Sequence, residues 1–510
     1  MVRKNSLLVI LLFVILLPAV LGLFHSGFPV TDDGNWMVIR FAAFFTALRH
    51  GQFPVRFLLQ LNHGYGYPVA DFLYPLFMYL GVPIHIAGIG FINTIKIILG
   101  GSLLLSGVFC FFWLRKLFSI LAAFVGAVCY VLFPYHLFDV YQRGSVGEVV
   151  ALTIVPFIFW QIERRSLLYI SIGIASLILA HNTLALLFLP IIVIYIFLKK
   201  VFSIKYIIAS VGLGLGLVAF FWIPALYDKQ FTIFDSTSVS DYTQYFLTTK
   251  NFGIVGLFTL MVGILGVGYT FKKNWKNDLF FLVLIYIGLF FSLPISSFLW
   301  NLLPLPQLVQ FPFRFLSIAI LGTAFFIAYM INTMKTSLKF IIAFLSIFLI
   351  YVAAWQYLSP KNYQTYPDSY YATNQDTTTV KNEYMPKWVK QIPLSTPQRM
   401  VEVVTGNAVI SNIVSNYGNK LQFTVHVPKQ STLRVNIIYF PGWDIFINNK
   451  EYAFTYNNPQ GVMEVSLSPG DYIVTARFGE TQVRAISDFV SLVGLCMIIV
   501  LAIKSFKKRN

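Results

Sequence analysis

FINTIKIILGGSLLLSGVFCFFWLRK, residues 91–116, decides the fold. From Phe91 to Leu114 the run carries one charge, Lys96, and it then stops on Arg115 and Lys116. A helix of about 24 residues is roughly 36 Å long, enough to cross a hydrocarbon layer of about 30 Å. Lys96 lies near one end, where its long stem lets the ammonium reach the headgroups.

The same reading extends outward in both directions. Apolar runs recur at about 7–23, 91–114, 118–138, 149–162, 166–181, 183–198, 206–226, 252–271, 279–294, 313–332, 338–356 and 485–503. Hydrophobic residues make up 57% of the 510 and charged residues 11%, whereas soluble proteins carry about 25% charged residues. The expectation is a mainly α polytopic membrane protein with about 12 transmembrane helices. The opening MVRKN followed by LLVILLFVILLPAVLGL has the form of a signal peptide, but no A-x-A site follows, so it reads as the first helix. Cys110, Cys129 and Cys496 all fall in apolar runs, which argues for packing rather than a disulfide framework or a cysteine metal site.

Charge sets the orientation. With the N-terminus inside, the inner segments hold Arg3, Lys4, Arg115, Lys116, Arg164, Arg165, Lys199, Lys200, Lys205, Lys272, Lys273, Lys276, Lys335, Lys339, Lys504, Lys507, Lys508 and Arg509. Only Glu163 and Asp278 oppose them. This is the positive-inside pattern. It accounts for the net charge of +17 through anionic headgroups, without a nucleic-acid partner. The expected location is the plasma membrane, with both termini cytoplasmic.

Three parts follow. Residues 1–356 form the transmembrane part, with a long outer loop at 24–90. Within that loop, 34–50 reads as an interfacial helix with Trp36, Phe41, Phe44, Phe45 and Leu48 on its apolar side and Arg40 and Arg49 on its polar side. Residues 73–87 read as a second interfacial or re-entrant piece. Residues 357–484 form an outer domain, in which MVEVVT, AVISNIVS, KLQFTVHV, TLRVNIIYF, WDIFI, EYAFTY, VMEVSLS and DYIVTARF alternate from about residue 400 and predict a β-sandwich. Asn448-Asn449 and Pro469-Gly470 mark turns. Residues 485–510 form the last helix and a basic inner tail.

Ionisable groups beside a membrane are costly and invite a role. Thr31-Asp32-Asp33-Gly34 stands just outside the first helix. Asp or Thr there can cap the helix at 34–50, but a cap needs one oxygen and two carboxylates remain. Asp32 and Asp33 are therefore candidate catalytic bases, and with Glu148 candidate ligands of a divalent cation such as Mg or Mn. Arg143, in YQRGSVGEV, and Arg314, in QFPFRF, are candidate lipid-phosphate binders; Arg143 could equally pair with Glu148, and Arg314 could be a snorkelling anchor. His63, Tyr65, Tyr67 and Asp71 in NHGYGYPVADFLY form a candidate sugar-binding cluster, or else an aromatic belt. His181 and Asn182 sit at a tight outer corner, where they serve either a substrate or exposed helix ends. No phosphate loop, HExxH or GxSxG occurs and no inner segment is long enough for a nucleotide domain, so no nucleotide cofactor is expected.

An outer Asp-Asp after the first helix, followed by an interfacial helix, resembles the C-type fold of membrane glycosyltransferases. That resemblance implies a catalytic acidic motif in the first outer loop, an assisting acid in the second where Glu148 stands, and polyprenyl-phosphate sugar donors. GQFPVRF, GYGYP, FLYPL, YQRGSVGE, HNTLALLFLP, QFPFRF, EYMPKW and YFPGWDIFINNKEY are similar to the bacterial YfhO-type membrane proteins and to the membrane family labelled 6-pyruvoyl-tetrahydropterin synthase-related. Soluble pterin synthases use a histidine-bound zinc, and the seven histidines here include no H-x-H pair, so pterin chemistry is not expected. The resemblance implies transfer of a sugar from a polyprenyl-phosphate donor to a glycan or protein acceptor on the outer face. The alternatives are a transporter or flippase for lipid-linked glycans, and a non-catalytic glycan-binding assembly protein.

Overall fold

The computed structural model describes residues 2–200, 203–236, 241–270, 275–416 and 418–507. Lys272, Lys273, Lys508 and Arg509, counted above in the inner segments, lie outside the described residues.

Each apolar run is helical, but not each is a straight crossing. Among the described residues five helices are long and apolar enough to span a membrane, and up to nine if each bent pair is one span. The bent pairs are Leu7–Leu16 with Pro18–Phe24 (57°), Ile120–Val131 with Pro134–Arg143 (41°), Ile204–Leu217 with Ala219–Phe231 (70°) and Asp278–Ser292 with Pro294–Leu302 (84°). In three of the four a proline opens the second segment, because it has no N–H to continue the helix and clashes with the preceding turn. The runs at 166–181, 183–198 and 252–271 form shorter apolar helices. Where about twelve transmembrane helices are expected, the described residues form a bundle of long, broken and short apolar helices.

The helices that build the site are α1 (Gly34–Arg49), α2 (Phe91–Arg115), α3 (Val146–Glu163), α4 (Asn182–Leu198), α5 (Trp275–Ser292), α6 (Leu316–Thr333) and α7 (Gln482–Lys507). Small residues let α5 and α6 touch. A Cβ on Gly288 would lie 2.8 Å from the Phe315 carbonyl oxygen, and one on Gly322 would lie 2.5 Å from that of Phe281. Close backbone approach of this kind is how helices associate where lipid removes the hydrophobic drive.

Helix α1 is not the half-wet surface helix expected. Met37, Val38, Ile39, Phe41, Ala42, Ala43, Phe44 and Ala47 are all buried, and so is Arg40. The outer domain covers it: Asn416 Nδ2 donates to the His50 carbonyl at 3.3 Å, and Gln52 Nε2 donates to that of Gly418 at 2.7 Å. Residues 73–87 contain an 11-residue helix, Leu76–Ile86, interrupted by Pro83 and too short to cross.

The outer strands are β1 (Val401–Ser415), β2 (Lys420–Ile438), β3 (Trp443–Ile447), β4 (Lys450–Tyr452), β5 (Val462–Leu467) and β6 (Gly470–Phe478). They form one antiparallel sheet in the order β1-β2-β6-β3-β4, with β5 also paired to β2. The expected sandwich of two separate sheets is replaced by this single sheet. The reason is the length of β2: its first half, Lys420–Val427, pairs with β6, and its second half pairs with β5. Leu421, Phe423, Val425 and Val427 from one half, and Leu433, Val435 and Ile437 from the other, enter one core by strict alternation.

That core also takes Phe57, Leu59 and Phe72 from the first outer loop. Phe57 meets Trp443 at 5.6 Å edge-on, and Phe72 stacks on Tyr384 at 4.8 Å. A buried ionic weld fixes the junction. Arg56 reaches Asp71 (3.3 Å), Glu480 (3.0 Å) and Asp488 (2.9 Å), while Arg484 reaches Asp228 (2.9 Å) and Asp71 (3.6 Å). The first outer loop, the helix ending at Asp228 and the start of α7 are thereby held as one body.

Candidate active site

The two outer loops meet backbone to backbone. Asp32 N–H donates to the Gln142 carbonyl at 2.9 Å, and Asp33 N–H donates to that of Arg143 at 2.8 Å. Thr31 Oγ1 accepts from Gly34 N–H at 3.1 Å and so caps α1; the Asp33 side chain makes no capping bond. Capping therefore accounts for Thr31, and both carboxylates are left for another purpose. The approach depends on Gly144, which has φ +64°; a Cβ there would lie 2.3 Å from Thr31 Oγ1 and 2.7 Å from Gly34 N. Gly144→Ala is expected to cost about 1–3 kcal/mol through backbone strain and to separate the loops. A thermal-unfolding scan together with an activity assay checks this.

Behind the carboxylates lies a buried ionic hub. Glu148, in the first turn of α3, is fully buried. Its Oε1 is paired with Arg143 Nη1 and accepts from Arg314 Nε at 2.9 Å, and its Oε2 accepts from the Tyr135 hydroxyl at 2.9 Å. Arg143 also contacts Asp139 (3.2 Å) and Asp33 (3.7 Å). Arg314 Nη1 donates to the Val309 carbonyl and to Gln310 Oε1, each at 2.8 Å. Phe311 covers both guanidinium groups, Arg143 at 5.4 Å and Arg314 at 4.8 Å, and Phe313 covers Arg143 at 5.2 Å. His181 Nδ1 accepts from Leu184 N–H and caps α4, which leaves Nε2–H facing Glu148 at 3.7 Å.

Of the residues singled out in the sequence, the structure gathers Asp33, Arg143, Glu148, Arg314 and His181. Asp32 lies beside them with its side chain exposed. Partial desolvation, then the Asp33 carboxylate, raise its carboxyl above the usual range, and Arg143 opposes them. Tyr74 closes one side, its ring 4.5 Å from that of His181. Burial pushes its hydroxyl up to about 12, and the charges of Arg40, Asp33, Glu148 and Arg314 all act on it.

Other expected roles do not fit the geometry. Arg143 stands between Asp33 and Glu148, so its guanidinium occupies the place of a cation bridging those carboxylates. Among the described residues no three His, Cys, Asp or Glu side chains gather as metal ligands. Asp32, Asp33 and Glu148 thus do not fit a shared divalent cation, and no step below passes through one. Arg143 and Arg314 face Asp33, Asp139 and Glu148, so the two proposed phosphate binders are already neutralised. Tyr65 and Tyr67 are buried, the Tyr65 carbonyl accepting from Ile438 N–H of β2 and the Tyr67 hydroxyl contacting Thr379. Asp71 belongs to the buried weld. His63 is half-buried, its N–H donating to the Gln375 carbonyl. Asn182 is exposed and donates to the Phe72 carbonyl. These five sit at the outer-domain junction.

Sequence reading missed Asp139, Tyr135, Gln310 and Tyr74. Asp139 was the accessible one, since it stands four residues before Arg143, the spacing of a helical ion pair.

An apolar groove of about 530 Å³ runs along α4 from Leu186 to Leu198, walled by α5 on the other side. Phe315, the residue after Arg314, and Ile318 also line it.

Residues 72–360 match a family model described as 6-pyruvoyl-tetrahydropterin synthase related domain; membrane protein. A protein of Lactococcus lactis subsp. cremoris strain MG1363, itself uncharacterized, is 26% identical over 269 residues, 47% of this chain and 42% of its own. The oligosaccharyltransferase of Archaeoglobus fulgidus, tethered with an acceptor peptide, is similar at 13% identity and a TM-score of 0.44, over 75% of this chain and 60% of that one. The mycobacterial arabinofuranosyltransferase AftD is similar at 15% identity and a TM-score of 0.46, over 70% of this chain and 27% of that one. The chain spans less than two thirds of each of these proteins.

Proposed function

The chain belongs to the 6-pyruvoyl-tetrahydropterin synthase related family of membrane proteins, and from that premise we propose that it is a membrane glycosyltransferase moving a sugar from a polyprenyl-phosphate donor to an acceptor hydroxyl at the outer face. The observation that carries this reading is the Asp32-Asp33 pair. It is relieved of capping by Thr31, tied by two backbone bonds to the Arg143 loop, and set beside the buried hub around Glu148. The groove suits an isoprenoid tail, and the carboxylates stand where a lipid-borne headgroup meets water.

In this reading Asp32 is the base. It takes the proton of the acceptor hydroxyl, whose oxygen attacks the anomeric carbon opposite the phosphate. The new C–O bond forms as the bond to the phosphate oxygen breaks, polyprenyl phosphate leaves, and the anomeric centre is inverted. Asp33, paired with Arg143, positions Asp32 and raises its proton affinity. The outer sheet, joined to the first loop through a common core, would hold a glycan or protein acceptor. The positive-inside charge pattern supports a plasma-membrane orientation with the carboxylates and the sheet on the outer face.

The test is release of labelled hexose or pentose from polyprenyl-phosphate donors by the full chain in proteoliposomes, with Asp32→Asn and Asp33→Asn alongside. Undiminished transfer in both variants removes the proposed base.

A pH profile follows from the raised Asp32 carboxyl. Only the ionised form accepts a proton, so the rate falls as pH drops through a value above the ordinary carboxylate range. Asp33→Asn deletes the neighbouring negative charge and is expected to move this acid limb to lower pH. The rate–pH curves of the two proteins check it.

A second reading has its own support. The four bent helix pairs and a buried hub on a candidate span are features of transporters. A flippase for lipid-linked sugars would use the same groove without cutting the sugar–phosphate bond.

A further inference from the structure

Arg40 stands apart from every other buried arginine described here. It lies on α1 and is 7% exposed. Arg56, Arg143, Arg314 and Arg484 each pair with at least one carboxylate. Arg40 makes no carboxylate ion pair among the described residues. Its Nε donates to Thr378 Oγ1 at 2.9 Å, its Nη2 donates to the Thr378 carbonyl, and its Nη1 lies 3.6 Å from the Met37 sulfur. A buried cation with only neutral partners is expensive, and the deficit is relieved when an anion arrives.

Its partner is strained. Thr378 has φ +61° and is almost fully buried. For a β-branched residue that conformation is an outlier, and strain of this kind gathers at ligand clamps and switches. Asn382, at φ +52°, marks the other end of the short segment. Thr378 presents two oxygens to one edge of the guanidinium, the arrangement that a phosphate or carboxylate adopts on arginine.

Resting on the lipid-donor reading above, we infer that Arg40 is the receptor for the donor phosphate, and that Thr378 is an internal stand-in displaced when the phosphate binds. The position suits it. Arg40 follows Asp33 by seven residues, two helical turns, so both lie on one side of α1 about 10 Å apart. The Tyr74 hydroxyl lies in the field of both, and of Glu148 and Arg314. Arg143 and Arg314 are neutralised by their carboxylates, and Arg40 is not. Residues 377–379 then act as a strap that lifts from Arg40 as the headgroup enters.

The test uses the full chain in lipid nanodiscs with farnesyl phosphate as the probe, and farnesol and inorganic phosphate as controls. Wild type binds farnesyl phosphate more tightly than either control. Arg40→Gln weakens binding about tenfold or more, the value of a charge-assisted pair, and Arg40→Lys falls between. Thr378→Ala removes one competing acceptor and tightens binding roughly two- to tenfold. A gain of affinity cannot come from misfolding. Wild-type affinity in Arg40→Gln, or unchanged or weaker affinity in Thr378→Ala, overturns the inference. Equal binding of inorganic phosphate overturns its lipid part. If Asp32-dependent transfer persists while Arg40→Gln binds normally, the phosphate site falls and the transferase reading stands.

Discussion

Sugar transfer is expected to fall about 100- to 10,000-fold when Asp32 is replaced by asparagine, the usual range for removing a positioned base. The substitution is isosteric and the side chain is exposed, so folding should be kept. The tie to the second loop is also kept, because it runs through the Asp32 N–H and not the carboxylate. Asp33→Asn is expected to cost less. Its carboxylate is 3.7 Å from Arg143 and shapes the field around Asp32 without itself taking the proton. The ratio of the two losses separates base from positioner. Turnover of labelled donor by both variants, at a pH well above the acid limb, measures it.

The second large effect is on stability. Glu148→Ala leaves Arg143 and Arg314 buried without their shared carboxylate, and breaking a buried pair in this way costs about 3–5 kcal/mol. Tyr135 loses its acceptor as well. Glu148→Gln keeps the shape and one acceptor and should cost less than the alanine. Thermal unfolding of the detergent-solubilised chain gives the order wild type, Gln, Ala. A Glu148→Ala protein as stable as wild type would mean that the hub is not what holds the outer ends of α3 and α6 together.

Much of this was legible in the chain. Apolar run length marked the five long apolar helices among the described residues, because lipid leaves the backbone no alternative to helix. The prolines at 18, 134 and 294 also carried the bends, and a stricter reading of them separates broken spans from straight ones. Asp33, Arg143, Glu148 and Arg314 were found because charge beside lipid is costly wherever it stands, a property visible without a fold.

What could not be read is cover. Tyr65, Tyr67 and Asp71 have the composition of a sugar site, but segments more than 300 residues later close over them: Ile438 on Tyr65, Thr379 and Tyr384 on Tyr67, and Arg484 on Asp71. The same cover buries α1, and with it Arg40, which as a sequence position reads as the wet side of a surface helix. The sheet was misread for a related reason. Alternation shows which residues face inward; it does not show that one 19-residue strand serves two neighbours in succession.

In the proposed reaction the Asp32-Asp33 pair drives transfer of a sugar from its lipid carrier. This is tested most directly in sealed proteoliposomes holding a polyprenyl-phosphate sugar labelled in the sugar, by following whether the label leaves the lipid or crosses the bilayer still attached. Label released from lipid by the wild type and retained by Asp32→Asn is the expected result. Intact lipid-linked sugar arriving in the opposite leaflet, with no release by either protein, would contradict it.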